Sequence, residues 1–168
     1  MDAYYDIVSL RAVREYSERP ISDDAVERIL QAGRAAGSSQ NRQPWTFFVV
    51  RSPETLDQIA ETVYAPENLR HAQLAIAIST SGKGSFDIGR CAENMMLAAW
   101  SEGIGSSPNG IRDAEALAPI LGTKAEHSIV TVLSFGCPAK PARTSGDVQG
   151  ILRRIKRKPL DEIVVWVE

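Results

Sequence analysis

Cysteine and histidine are scarce in this sequence of 168 residues, and each occurs only twice. Cys91 and Cys137 lie far apart and neither belongs to a CxxC motif. We therefore expect two buried thiols in a reducing compartment rather than a disulfide. His71 and His127 show no metal-ligand spacing with the cysteines, so the sequence predicts no metal site.

Long apolar runs and a strong excess of one charge are also missing. No stretch approaches the roughly 18 apolar residues of a membrane span. The acidic segment 1–6 lacks the pattern of a signal peptide, which favours a cytoplasmic location and no membrane partner. The net charge of −2 and the pI near 5.8 give no general attraction to nucleic acid. Any anion-binding site must therefore be local.

The familiar nucleotide and nucleophile motifs are missing as well. The sequence has no GxxxxGK[ST] and no GxGxxG after a strand, which excludes an ATP-type P-loop and a Rossmann dinucleotide site. It also has no nucleophile-elbow motif. We predict no catalytic residue in the protein itself, so that demanding chemistry would have to come from a cofactor.

Apolar periodicity nevertheless predicts a regular alternation of helices and strands in one domain covering residues 1–168. This mixture favours an α/β or α+β class with a sheet flanked by helices. Loops are predicted at 79–85, 104–110 and 139–150, and the apolar tail 163–167 is predicted to add a strand to its own sheet or a partner's. The predicted helices are 4–11, 23–36, one opening at Pro53, 87–102 and 114–121, and the predicted strands are 46–51 and 74–78, both central, and 127–135.

A polar stretch, Ser38 to Gln43, joins the helix at 23–36 to the strand at 46–51 and is followed by Pro44 and Trp45. Small hydroxyls and amides at such a junction suit a flat polar ligand. Trp45 can anchor the exit of this loop. The alternative is an ordinary connection between a helix and a strand with a buried Trp.

A basic run near the C-terminus contains five cations in the six residues 153–158. Such a run can be a solvated surface or a nucleic-acid patch. The acidic pI and the lack of interleaved aromatic residues argue against nucleic acid. A terminal phosphate is a better ligand for two or three arginines, because a guanidinium binds phosphate through two donors.

Three segments together resemble the FMN-dependent nitroreductase family. Residues 35–45 resemble the AAxxPSxxNxQPW signature of that family, and residues 10–16 resemble its RRSxRxF opening. The helix that contains Asp87-Ile88-Gly89 and residues 94–99 is similar to its central helix. The resemblance extends from about residue 6 to residue 165.

The resemblance implies a mixed, mainly antiparallel sheet flanked by helices. It also implies a homodimer that holds FMN between its subunits, with an arm, 159–168, that packs on the partner. Such a protein passes hydride from NADH or NADPH through the flavin to an organic acceptor such as a nitroaromatic, a quinone or an enone.

The resemblance also assigns roles to individual residues. Arg11 and Arg157 would meet the FMN phosphate, with Lys158 completing the basic pair. Arg14 would lie near the pyrimidine edge of the flavin, where a cation stabilises the reduced form. Ser38 and Ser39 would reach the FMN that the partner subunit holds, with Asn41 shaping their loop. The backbone of Pro108, Asn109 and Gly110 would run beside the reactive edge of the flavin ring.

The sequence departs from the family pattern at three motif positions. Leu10 replaces the first arginine of RRSxRxF, Ala12 replaces its serine, and Gly37 replaces the proline of the other signature. The chain is also short, which implies an open substrate pocket or a non-standard acceptor. Two alternatives therefore stay open: a flavin-binding protein without turnover, and a flavin-consuming synthase of the dimethylbenzimidazole type.

Overall fold

The computed structural model describes residues 2–82, 85–141 and 147–167, so the predicted loops at 79–85 and 139–150 lie partly outside the described residues. The helices and strands are α1 Ala3–Ser9, α2 Asp23–Arg34, β1 Trp45–Val50, α3 Pro53–Ala60, α4 Glu67–Arg70, β2 Leu74–Thr80, α5 Ser85–Ser101, β3 Gly105–Asn109, α6 Ala114–Leu121, β4 Ser128–Gly136 and α7 Val148–Arg154. Short 3-10 turns lie at Ser39–Asn41 and Leu160–Glu162.

The four strands form one sheet in the order β1-β2-β4-β3, and each neighbouring pair is antiparallel. The register brings Ile76 opposite Leu133 and Ser107 opposite Ser134. A single parallel bridge, between Ala12 and Ser106, joins the N-terminal segment to the outer edge of β3. The sheet is therefore mainly antiparallel with one parallel addition, as predicted.

The alternation of side chains along β2 builds a layer of helices on each side of the sheet. Ile76 and Ile78 pack into the core that β2 forms with α2 and α5. Ala75 and Ala77 face the opposite core, which α3, α4 and α6 cover. All seven residues of β2 are buried, as expected for a strand with apolar cover on both faces. The result is the three-layer α+β fold that the sequence predicts.

The predicted helix boundaries depend on capping residues that the structure confirms. The side chains of Ser22, Ser52 and Asp113 each accept a hydrogen bond from the backbone N–H three residues later. Such bonds satisfy donors that have no partner inside the helix. Gly122 ends α6 with φ of 63°, a conformation that glycine adopts without steric penalty.

Two predictions about strands were wrong, and one alternative for the tail is excluded. The segment at 46–51 belongs to an edge strand, β1, because among the described residues it pairs with β2 only; Val49 stays 44% exposed. The segment at 104–110 contains β3, which pairs with β4 despite having no β-branched residue. The tail adds no strand to the sheet of its own chain over 163–167, where Trp166 is 89% exposed, and its pairing with a partner's sheet stays a prediction.

The segment from Arg11 to Tyr16 follows the free edge of β3. The Val13 N–H donates to the Ser106 carbonyl at 2.8 Å. Gly105 permits this approach, because a Cβ at that position would lie 2.6 Å from the Val13 Cβ. The two predicted cofactor segments, around Arg14 and around Pro108, are therefore neighbours in the fold.

Candidate cofactor site

Arg11 lies beside a cavity of ≈300 Å³ that the basic run also lines. Its Nη1 donates to the carbonyls of Val8 at 2.9 Å and Leu10 at 2.5 Å, which fixes the guanidinium at the C-terminal end of α1. A guanidinium has five N–H donors, so further donors remain for a ligand. The cavity, called the arginine cavity below, is lined by Arg11, Ile151, Arg154, Ile155, Lys156 and Arg157.

The structure thus brings together two cations that are 146 positions apart in the sequence, Arg11 and Arg157. Packing of α1 against α7 produces this proximity. Arg154 and Lys156 line the same cavity and were not selected from the sequence, because a run of cations does not indicate which members face inward. Lys158 is exposed and does not line the arginine cavity.

Arg14 is exposed and lines a second cavity, of ≈380 Å³, together with Ala12 and Lys140. Lys140 also pairs with Glu15, with Nζ 3.1 Å from Oε2. Arg14 forms none of the ion pairs found within 2–82, 85–141 and 147–167. Its guanidinium is therefore available to a ligand in this second cavity.

The end of β3 presents backbone rather than side chains. Pro108 and Gly110 are exposed, whereas Asn109 between them is only 3% exposed. The Asn109 Nδ2 donates to the carbonyls of Ser107 and Val132, each at 3.0 Å. The Asn109 side chain is therefore used inside the protein, and the backbone of 108–110 is the part that can face a ligand.

The polar loop, residues 38–43, is held in an unusual backbone conformation. Gln40, Asn41 and Gln43 have φ of 53°, 54° and 48°, in the left-handed region. Each such non-glycine residue costs roughly 1 kcal/mol or more and persists only where surrounding contacts enforce it. Here the Ser38 Oγ accepts from the Gln43 N–H at 2.9 Å. The loop is therefore prearranged and exposes small polar groups.

This polar loop and the arginine cavity lie at opposite ends of α5. The Ser39 N–H donates to Asp87 Oδ2 at 3.1 Å near the start of the helix. The Trp100 indole N–H donates to the Ser9 hydroxyl at 2.9 Å near its end, and Ser9 is two residues before Arg11. Since a helix rises 1.5 Å per residue, Asp87 and Trp100 are about 20 Å apart along its axis. One chain does not bring Ser38, Ser39 and Asn41 to its own arginine cavity.

Burial perturbs two titrating groups near these elements. Burial raises the pKa of the Tyr16 hydroxyl to about 12, and a hydrogen bond with Ser134 and the charge of Arg14 partly oppose that rise. Burial also raises the pKa of the Cys91 thiol in α5 to about 12. Both groups are therefore protonated at neutral pH. Cys91 and Cys137 are buried and free, as predicted from their spacing.

Two further searches cover the described parts of the chain only. Within them, no three His, Cys, Asp or Glu side chains are grouped so that they could hold a metal ion. Within them, no helix combines the length and the apolar character that crossing a membrane requires.

Comparisons with known proteins agree with this architecture. The sequence profile described as "Nitroreductase family" matches residues 7–83 and 67–137. A "Putative NADH dehydrogenase/NAD(P)H nitroreductase" of Archaeoglobus fulgidus is 36% identical over 144 residues, which cover 79% of this chain and 83% of that protein. The "NADPH-flavin oxidoreductase" of Vibrio harveyi is 26% identical and is matched over 79% of this chain and 64% of its own length.

A solved structure extends the comparison to three dimensions. It is the crystal structure of a "putative nitroreductase in complex with fmn" from Desulfovibrio desulfuricans. It superposes with a TM-score of 0.84 at 26% identity, covering 100% of this chain and 98% of that chain.

Proposed function

Because the chain belongs to the nitroreductase family, we propose that it is an FMN-dependent oxidoreductase that uses NADH or NADPH to reduce an organic acceptor. The observation that carries the proposal is the arginine cavity, in which Arg11 meets the basic run around Arg157. The relatives named for NAD(P)H and flavin chemistry, and the related structure in complex with FMN, support the choice of cofactor and reductant.

The chemistry of the arginine cavity fits the phosphate of FMN. Arg11, Arg154, Lys156 and Arg157 are four cations around ≈300 Å³. Phosphate oxygens accept charge-assisted hydrogen bonds, and guanidinium groups supply paired donors for them. The cations also compensate for the substitution of Leu10, because Arg154 and Lys156 supply charge that the first arginine of the motif would have provided.

When bound, FMN supplies the redox chemistry by accepting hydride from the nicotinamide and passing it to the acceptor. The protein supplies orientation and electrostatics. Arg14 would offer its charge to the pyrimidine edge of the ring, where it favours the reduced state. Pro108, Asn109 and Gly110 would offer backbone groups to the reactive edge, which fixes its orientation. Nitroaromatics, quinones and enones are the acceptor classes we expect.

The separation of the two halves of the site along α5 supports a shared active site in a homodimer. The polar loop would reach the flavin held by the other subunit, since it cannot reach the arginine cavity of its own chain. The arm, 159–168, would pack on the partner, because its apolar side chains lack cover within one chain. Its exposed fractions include 73% for Leu160, 85% for Val165 and 89% for Trp166.

The absorption spectrum of the purified protein tests the proposal directly. We expect a yellow protein that bleaches anaerobically with NADH or NADPH and regains its colour when a quinone or a nitroaromatic is added. A protein that takes up no FMN contradicts the proposal. Bound FMN with no nicotinamide oxidation would indicate a flavin-binding protein without turnover. A change in the mass of the flavin after aerobic reduction would indicate a flavin-consuming synthase.

A further inference from the structure

We propose that four buried or half-buried residues hold the Arg14 segment at a fixed distance from the end of β3, and that this spacing sets the effect of Arg14 on the bound flavin. The four are called the buried polar relay below, and they are Asn68, Asn109, Ser134 and Tyr16. The inference rests on the proposed function, since it assigns positioning residues for the same cofactor.

The relay begins in α4 and crosses into the sheet. The Asn68 Nδ2 donates to the Asn109 Oδ1 at 2.9 Å. The Asn109 Nδ2, whose two N–H donors are shared among the Ser107 and Val132 carbonyls and a third acceptor, in turn lies 3.2 Å from that third acceptor, the Ser134 Oγ in β4. Asn68 is 7% exposed, Asn109 is 3% exposed and Ser134 is fully buried. At such burial each of these bonds replaces water that the side chains have lost.

The relay ends at the Arg14 segment. The Tyr16 hydroxyl lies 3.2 Å from the Ser134 Oγ and donates to the Val13 carbonyl at 2.7 Å. Val13 immediately precedes Arg14, and its own N–H is bonded to the Ser106 carbonyl. A continuous set of hydrogen bonds therefore connects Val13, which precedes Arg14, with Asn109, which lies between Pro108 and Gly110.

Pairing of β3 with β4 does not itself require this polar cluster. On the other side of the same sheet, β1 and β2 pair through apolar side chains, as where Phe47 lies opposite Ile78. The polar side chains of β3 also lower the stability of the fold, since the Ser106 and Ser107 hydroxyls are buried without a partner among the described residues. The directional bonds of the polar cluster fix a geometry that apolar packing would leave adjustable.

The relay acts by position and not by charge. Tyr16 stays protonated well above neutral pH, because burial raises its pKa to about 12. The remaining relay side chains are amides and a hydroxyl, which do not titrate. Arg14 directly follows Val13, whose carbonyl accepts from the Tyr16 hydroxyl, and the charge of Arg14 accordingly lowers the pKa of Tyr16.

A double-mutant cycle measures the coupling. We expect Asn68→Ala to weaken FMN binding several-fold and to lower the flavin reduction potential, although Asn68 lies outside the proposed cofactor contacts. In an Arg14→Ala background the same change should lower the potential no further, because the charge that the relay positions is gone. Asn68→Asp, which keeps the shape but turns an acceptor toward the Asn109 Oδ1, should act in the same direction as Asn68→Ala.

Ser79→Ala is the matched control. Ser79 is fully buried in β2, and its Oγ forms one side-chain hydrogen bond of 3.3 Å, to His127 Nδ1. It should reduce stability without changing the potential. Equal potentials in Asn68→Ala and wild type, or shifts of Asn68 and Arg14 that simply add, would overturn the proposal. If an Asn68 variant fails to fold, Tyr16→Phe replaces it in the double-mutant cycle with Arg14→Ala.

Amide hydrogen exchange separates the relay from the cofactor assignment. In flavin-free protein, Asn68→Ala should speed exchange of the Val13 N–H, and Ser79→Ala should not. A wild-type protein that takes up no FMN would contradict the proposed function. The exchange rate of the Val13 N–H would still test the relay, because it is measured without flavin. Unchanged Val13 exchange in a folded Asn68→Ala protein would defeat the relay alone.

Discussion

The ring of Tyr16 occupies the space that a side chain on Gly136 would need. The Cγ and Cδ1 atoms of Tyr16 lie nearest to that space, and rotation of the ring about the Cβ–Cγ bond leaves Cγ in place. Gly136 is the last residue of β4, and Tyr16 bridges to Pro138 just beyond it. The N-terminal segment therefore depends on this glycine for its position along the sheet.

Gly136→Ala should destabilise the protein by about 1–3 kcal/mol, because the added methyl group overpacks a well-filled contact. Urea-induced unfolding measures the change. The loss should shrink in a Tyr16→Ala background, where the ring is gone. An equal loss in both backgrounds would show that the ring is not the obstacle.

Stability at high pH should depend on Tyr16. Its pKa is raised from 10.0 to about 12 in the folded protein, so the folded state holds the proton more tightly. The associated stability is fully present below pH 10 and is lost as the pH rises through about 12, with a total on the order of 3 kcal/mol. Tyr16→Phe should flatten this decline relative to wild type. Tyr64→Phe, at a site that is 73% exposed, should leave the decline unchanged.

The two thiols should be unreactive in the folded protein. Cys91 is fully buried and Cys137 is 3% exposed, and burial raises the pKa of Cys91 to about 12. Thiolate is the reactive form, so both burial and protonation protect Cys91. A colorimetric thiol reagent should detect none in native protein and both after denaturation. Rapid labelling of native protein would contradict the burial of these residues.

The basic run should divide into cations that contact phosphate and cations that do not. Arg157→Ala should weaken FMN binding roughly 10- to 100-fold, since it removes a charge-assisted contact from the arginine cavity. Arg153→Ala is the matched control, because Arg153 belongs to the same run but does not line that cavity. Titration of flavin fluorescence measures both. An FMN affinity equal to that of wild type in both variants would assign the whole run to solvent.

A shared active site should allow complementation between defective subunits. One variant carries Arg11→Ala and Arg157→Ala, and a second carries Ser38→Ala and Ser39→Ala. After subunit exchange, half of the dimers are mixed and each mixed dimer holds one intact site. Roughly a quarter of the wild-type flavin sites should therefore return. No recovery, in mixtures shown to contain mixed dimers, would contradict the shared site.

Deletion of residues after Pro159 should weaken dimerisation and FMN retention together, as light scattering and flavin content would show.

Patterns within one element allowed much of the fold to be predicted. Ser22, Ser52 and Gly122 identify helix ends because capping depends only on nearby atoms. The position of a strand in a sheet depends on distant partners, and this is why β1 was assigned to the centre. The apolar content of β1 resembles that of a central strand, although one edge is free.

The candidate site was predictable where a short motif carries the information, and not where contacts come from afar. Arg11 and Arg157 were selected through the family resemblance, and the structure brings them to one cavity. Asn68 gave no signal, because its importance arises only when α4 meets the end of β3. Likewise, Arg154 could not be distinguished from Arg153 until α7 had a defined face toward α1.

The distance along α5 between the polar loop and the arginine cavity has a thermodynamic consequence. Under the proposed assembly, every complete flavin site needs two chains, so cofactor occupancy and subunit association are linked equilibria. Dilution should release FMN even at constant free FMN, and excess FMN should in turn hold the dimer together. The fraction of chains that hold FMN would therefore depend on the concentration of the protein, and it would fall at low abundance.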